Sequence, residues 1–330
     1  MAEQESGQPP SLAMEFPRDK EQYALSAVIG VAEAAIMHRA KHVNPATQNE
    51  VAVGIKIVNS YGIEDIYSLA REVHEAESCD HENMVKVHCS FKNQDQLWIV
   101  MPLLPRLSIR SMIRSSFPRG LPGKTVAFIL KETLKALNYM HGKNRLHQNL
   151  GADCLFLDAT SRVKVAFRSL TYDQSTNDLN SSVYPDWMIA PELMIDYRQG
   201  QSKATDIWMF GLLALELFYG RIPASNFEEF QLLVLGIDDK FRMSKKNQGI
   251  MGSGLFGKIG VFSCFSTTKH RKKISKPLGE VMAACLSREP KKRPTTDRLM
   301  EYKLFQRCFT EKEISLSKLK KACTNITTDN

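Results

Sequence analysis

The chain has 330 residues and a 43% apolar fraction, enough for one large two-lobed domain or two ordinary ones with a substantial core. Its net charge of +8 has a local source: between Phe241 and Gly279 there is no acidic residue, and Arg242, Lys245, Lys246, Lys258, Lys269, Arg271, Lys272, Lys273 and Lys276 supply nine positive charges, leaving the remainder at −1. A domain-wide nucleic-acid footprint is therefore disfavoured, and seven scattered cysteines without a CxxC pair argue for reduced thiols rather than a disulfide framework or a zinc site.

The opening stretch "MAEQESGQPPSLAMEFPRDK" is polar and proline-bearing, and residues 1–22 are expected to form a flexible tail. It lacks the basic-then-apolar order of a signal peptide, and no apolar run reaches membrane-spanning length. With the thiol pattern, this predicts a protein of the cytoplasm or nucleus that does not cross a membrane.

From Tyr23 to Met101 the sequence reads as short β-rich runs, "YALSAVIG", "AAIMHRA", "EVAVGIKIVN", "MVKVHCSF" and "QLWIVMPLL", interrupted by one helical stretch, "IEDIYSLAREVHEAES". Beyond "SIRSMIRSS" the pattern turns helical. "GKTVAFILKETLKALNYMHG" sets Val126, Ile129, Leu130, Leu134, Leu137 and Met140 at helical spacing, and "ATDIWMFGLLALELFYG" is apolar nearly all round, as a buried helix would be. The Gly-, Ser- and Lys-rich stretch 243–276 is longer than an ordinary connection, so it reads as functional or disordered. Within it "GSGLFGK" imitates a phosphate loop, but Ile259 stands where the metal-binding hydroxyl belongs and no strand precedes it. A polar tail, 310–330, ends the chain.

"VGIK" on a strand, "REV" on the next helix, then "LHQNLGADC", "APE", "DIWMFG" and "KKRPT" follow in an order that resembles a protein kinase. "LWIVMPLL", "LKALNYMH", "WMIAPELM" and "DIWMFGLLALELFYGRIP" are most similar to the sterile-20/germinal-centre branch of Ser/Thr kinases and its plant members. The resemblance implies an α+β, bilobal protein-kinase fold over 23–309, with a small β-rich N-lobe (23–102) containing one helix and a larger, mainly helical C-lobe (103–309) carrying the basic insertion 243–276.

Phosphoryl transfer in this family asks for a glycine loop over the phosphates, a Lys held by a helix Glu, a base-like Asp, and an Asn and an Asp that carry magnesium. Lys56 and Glu72 match the ion pair, with an ordinary bracing salt bridge as the alternative role. The resemblance further implies a nucleotide site at Ile29, Gly30, Val31, Met37, Lys56, Glu72 and Met101. Its glycine loop is degenerate: Gly30 is kept, but Ala32 and Ala35 replace glycines, Met37 replaces the valine, and Glu33 adds a negative charge.

The loop "HQNLGADC" keeps His147 but sets Gln148 for Arg, Asn149 for the Asp, Gly151 for the Lys and Cys154 for the metal-binding Asn. An amide cannot accept a hydroxyl proton as a carboxylate does, glycine offers no cation, and a thiol is a poor ligand for hard magnesium. Asp153 reads as a solvated loop residue. After "RVKV" the metal Asp is replaced by Phe167, or by Ala166 if the register slips to keep Phe167 as the packing aromatic; Arg168 then disturbs the packing column. His147, Glu192, Asp206 and Arg293 match the family's bracing residues. Gln148 also removes the cation that pairs with an activation-loop phosphate. Tyr184 replaces the threonine before the "APE" motif, and Ile189 reads as an insertion there.

The resulting expectation is a pseudokinase that acts as scaffold or allosteric partner, much as the sterile-20-related adaptor pseudokinases do, with a protein partner such as an active kinase or its complex. No cofactor is required, ATP binds weakly at most, and magnesium has no seat. The basic insertion, whose Leu255, Phe256, Ile259, Val261, Phe262 and Phe265 interleave with its cations, is suited to an acidic partner or an anionic surface. The alternative is an active Ser/Thr kinase that binds ATP through Lys56 and uses rearranged catalytic residues.

Overall fold

The computed structural model describes residues 16–32, 35–43, 50–59, 66–104, 108–158, 160–167, 170, 184–196, 200–242 and 272–306. They form two compact units, a smaller one of residues up to Ser78 together with Lys86–Leu103, and a larger one of Cys79–Val85 and the chain from Leu104.

The smaller unit is an antiparallel sheet of strands β1 (Tyr23–Ala32), β2 (Ala35–Val43), β3 (Glu50–Asn59), β4 (Cys89–Asn93) and β5 (Gln96–Pro102), in the order β1-β2-β3-β5-β4, with helix α1 (Ile66–Glu77). Alternation decides which side chains share a face. Val53, Ile55, Trp98 and Val100 join Tyr23, Ala40 and Cys89 in a core on one face. Met37, Gly54, Lys56, Ile99 and Met101 fall on the other, since Met37 pairs with Lys56, Lys56 with Ile99 and Gly54 with Met101.

Two expectations need correction here. The run "MVKVHCSF" alternates like one strand, but β4 begins only at Cys89. Its first part belongs to the larger unit, where Met84 bridges to Val165 and the Val85 amide donates to the Val165 carbonyl. The tail expected over 1–22 is docked from Phe16 onward: Phe16 stacks on His88 at 3.9 Å, the Tyr23 hydroxyl donates to the Pro17 carbonyl, and Arg18 pairs with Glu77.

The larger unit holds α2 (Ile109–Ser116), α3 (Gly123–Gly142), the hairpin β6 (Leu155–Leu157) and β7 (Val163–Val165), α4 (Pro191–Ile195), α5 (Lys203–Tyr219), α6 (Phe227–Arg242), α7 (Lys276–Cys285) and α8 (Thr296–Met300). Helix α5 starts at Ser202, whose side chain and that of Thr205 form a reciprocal capping box, and it ends at Gly220, whose φ of 86° is one that glycine adopts without strain. A side chain at Gly220 would also collide with the Pro118 carbonyl. All six apolar positions expected to line α3 are buried, and α5 is buried from Thr205 to Phe218. No described helix is long and apolar enough to cross a membrane, and Cys89 and Cys285 are buried free thiols.

Burial also sets an acid limit. Burial, helped by the Lys86 cation, lowers the His88 pKa from 6.5 to about 4, and burial lowers that of His147 too, with Asp206 opposing. The unfolded chain takes up these protons near 6.5 whereas the folded chain resists them. The stabilisation is therefore complete above 6.5 and is lost as pH falls from there toward 4. Urea midpoints measured at pH 7.5, 6.5, 5.5 and 4.5 should drop steadily in the last two steps, and His88→Gln should flatten part of that drop. A midpoint constant down to pH 4.5 would contradict the assignment.

Candidate functional site

The loop between α3 and β6 is held from below by one carboxylate. Asp206, fully buried on α5, accepts from the backbone amides of His147 (2.9 Å) and Gln148 (2.8 Å) and lies 2.9 Å from His141 Nε2. Those bonds fix Gln148 at a φ of 67°, a strained value for a side-chain-bearing residue. His147 Nε2 donates to the Ala166 carbonyl at 3.2 Å, and its ring stacks on Phe167 at 5.9 Å. Phe167 is therefore the packing aromatic. Neither Ala166 nor Phe167, the two residues read at the metal-Asp position, carries a carboxylate.

The positions facing this frame carry no base. The Asn149 amide donates to the His147 carbonyl, Cys154 Sγ lies 3.5 Å from the Asn149 carbonyl, and Gly151 opens the turn that leads to Cys154. Asp153, expected to be solvated, is instead 2% exposed, with Oδ1 3.7 Å from Arg110 Nη1. The apolar neighbours Ala152 and Cys154 carry it inward, and a cation waits there.

That cation belongs to a cluster that sequence reasoning missed. Arg110 on α2 makes a two-pronged contact with Glu216 on α5, Nε at 2.6 Å and Nη2 at 2.9 Å, and its guanidinium lies 5.4 Å from the Tyr184 ring centroid. The Tyr184 hydroxyl donates to Glu216 at 2.9 Å. Burial disfavours the Arg110 cation, but Glu216 and Asp153 outweigh it and hold the pKa well above the ordinary value. Burial, with Glu216 beside it, pushes the Tyr184 phenol up, so it stays a neutral donor.

A second brace joins α4 to the chain before α8. Arg293 donates through Nη1 and Nη2 to the two Glu192 oxygens at 2.7 Å each, through Nε to the Ser287 carbonyl, and lies 4.9 Å from the Trp208 ring. Near it, Trp187, Pro191, Met194, Trp208, Phe227 and Phe230 line an apolar groove of about 190 Å³.

In the smaller unit, Lys56 is 2% exposed on β3, and Glu72 is half-buried on α1. Ile29 sits at an irregularity in β1, Gly30 pairs with Met37, and Val31 with Ile36. The pairing continues to Ala32 and Ala35. Val31 is exposed, whereas Met37 and Met101 are buried.

Comparison with known proteins gives this geometry a family. The protein kinase domain model matches residues 23–305. The chain belongs to the protein kinase family. Relatives of this kinase domain include Serine/threonine-protein kinase fray2 of Dictyostelium discoideum, 28% identical over 88% of this chain and 26% of the relative, and Germinal center kinase 3 of Caenorhabditis elegans, 26% identical over 88% and 48%. Human Mitogen-activated protein kinase kinase kinase kinase 3 is 23% identical over 86% of this chain and 29% of its own length. The chain thus spans about a quarter to a half of these relatives.

The kinase domain's other motif positions divide by what is described. Glu33, Arg168 and residues 243–271 of the basic insertion lie outside the described residues. Toward the end of the insertion, Lys272 Nζ donates to the carbonyls of Phe218 and Leu121 and sits 4.5 Å from the Phe218 ring, so this cation is engaged within the fold. Lys276 already belongs to α7. Among the described residues no group of three His, Cys, Asp or Glu side chains is placed so that it could hold a metal ion.

Proposed function

We propose that this kinase-fold chain is a pseudokinase of the sterile-20 branch, a scaffold or allosteric partner without phosphoryl transfer. The observation that carries this reading is the position of Asp153. It is the only carboxylate of the loop 147–154, and it is buried against Arg110. No carboxylate is left at Asn149, at Cys154 or in either register of Ala166 and Phe167. The base, the phosphate cation and both metal anchors are absent together, and such groups act as a unit.

The site asks for no cofactor. ATP binding is weak at most, because Lys56 is 2% exposed, and magnesium finds no oxygen ligand at the family positions. The partner is a protein, an active kinase or its complex, met in the cytoplasm or nucleus. Residues 243–276 add an electrostatic contact with an acidic or anionic surface. The alternative of an active Ser/Thr kinase draws on the printed names of the relatives, which are those of kinases. It has no described base to work with.

Single reversion tests the reading. Asn149→Asp restores the base alone, so label transfer from ATP to a peptide array should remain at the wild-type background, because cation and metal seats stay empty. A rise of about 100-fold, the lower range for one general base, would show that the other losses are compensated and would overturn the proposal.

A further inference from the structure

The apolar groove between α4 and α6 is floored by packed rings and walled by exposed side chains. Trp187 and Trp208 each meet Phe230 edge-on, with centroids 6.1 Å apart in both pairs, so the floor is held open by stiff groups. Above it Met194, Ile195, Phe227 and Leu235 all remain exposed, Ile195 at 86%. Apolar side chains gathered in water around one cavity mark a protein contact. The cavity, about 190 Å³, is small for a drug-sized ligand but close to the ~150 Å³ that takes up benzene, so it suits one apolar side chain.

Helix α6 contributes Phe227, Phe230, Gln231, Val234 and Leu235, a stripe at three- and four-residue spacing. The stripe runs into negative charge at both ends. Glu228 lies one turn before Gln231, and Asp238 and Asp239 lie one turn beyond Val234 and Leu235, so acids bracket the groove about 15 Å apart along the helix. The next residue, Lys240, lies 5.4 Å from the Phe241 ring, and Arg288 is the one charged side chain among the described residues lining the groove.

We propose that this groove docks a basic amphipathic segment of a partner protein. One aromatic or leucine anchor enters the cavity, and lysines or arginines on either side of it meet Glu228 and the neighbouring acids Asp238 and Asp239. The anchor supplies affinity by leaving water, and the flanking charges select the partner. A second copy of the chain is a poor occupant, since a two-fold contact through this face sets acid against acid. The groove is opposite in sign to residues 243–276, so the two contacts select different partners. The inference rests on the scaffold reading for the partner's role, whereas the binding itself is read without nucleotide.

The probe is a synthetic alanine-based helix of about 18 residues, long enough to hold its turns, with a central Phe and Leu one turn apart and Lys at both ends. Fluorescence anisotropy with the full chain should show affinity at least about tenfold above that of peptides with Ser at the anchors or Gln for Lys. Leu235→Lys should weaken binding about tenfold, and Glu228→Lys with Asp239→Lys about fivefold with a smaller salt dependence. All three positions are exposed, and melting midpoints check that the variants fold. Equal affinity of wild type and folded Leu235→Lys, or of the Lys and Gln peptides, would overturn the proposal. Binding that emerges only after deletion of 243–271 would overturn it too, by giving the groove to the chain's own insertion, as would a dimer in sedimentation that Leu235→Lys dissolves. Label transfer from ATP by the wild-type chain would instead sink the pseudokinase reading and leave the binding result standing.

Discussion

Glu216→Ala is expected to destabilise the chain by about 3–5 kcal/mol, lowering the melting midpoint by roughly 10 °C. The wild-type carboxylate takes two hydrogen bonds from Arg110 and one from Tyr184. Arg110 is 4% exposed, with Asp153 3.7 Å away, so the two hydrogen bonds lost with Glu216 are lost where hydration cannot replace them. The raised phenol of Tyr184 stays protonated and loses its acceptor. Tyr184→Phe removes one donor and should cost less, about 1–2 kcal/mol. A Glu216→Ala variant within 1 kcal/mol of wild type would mean that water reaches Arg110.

Glu192→Ala is expected to cost about 3–4 kcal/mol, again read as a melting shift of roughly 10 °C. The Arg293 side chain is wholly buried and Glu192 is 14% exposed, so removing the acid strands the base. The carbonyls of Ser287 and Ala204 and the Trp208 ring still surround the cation but cannot neutralise it. Arg293→Lys should recover little of the stability lost in Arg293→Ala, because a single ammonium cannot hold both Glu192 oxygens and the two carbonyls at once. Equal stability of wild type and Arg293→Lys would show that the two-pronged geometry contributes nothing.

The two braces differ in how far the sequence revealed them. Glu192, Asp206 and Arg293 sit in motifs whose order is readable, and a residue that holds the fold keeps its neighbours recognisable. Arg110 and Glu216 are 106 residues apart, and neither was singled out, although Glu216 lies within the family-like stretch "DIWMFGLLALELFYGRIP". The readable half of the signal was Glu216, a lone charge inside the apolar "LALELF", since a charge buried in such a helix requires a partner; Arg110 shares the mixed stretch "SIRSMIR" with Arg114, and composition does not say which of the two turns inward. Asp153 was misjudged for a related reason. A polar loop composition gives no direction to a side chain, and burial depends on contacts from distant elements.

Strand β4 shows the complementary limit. Alternation of Val85, Val87, Cys89 and Phe91 looks like one strand, but periodicity cannot tell that its two ends are claimed by different units. Met37 was visible as a departure from the family's valine, whereas Gly54 drew no notice within "VGIK". Only the 2.8 Å between Met37 Cε and the place a Gly54 Cβ would take makes them one feature.

The most direct test of a chain without phosphoryl transfer is label incorporation from radiolabelled ATP at high protein concentration, with magnesium or manganese, comparing wild type with Lys56→Ala. The expected result is equal background in both, on protein and on a peptide array. Incorporation by wild type that Lys56→Ala abolishes would contradict it.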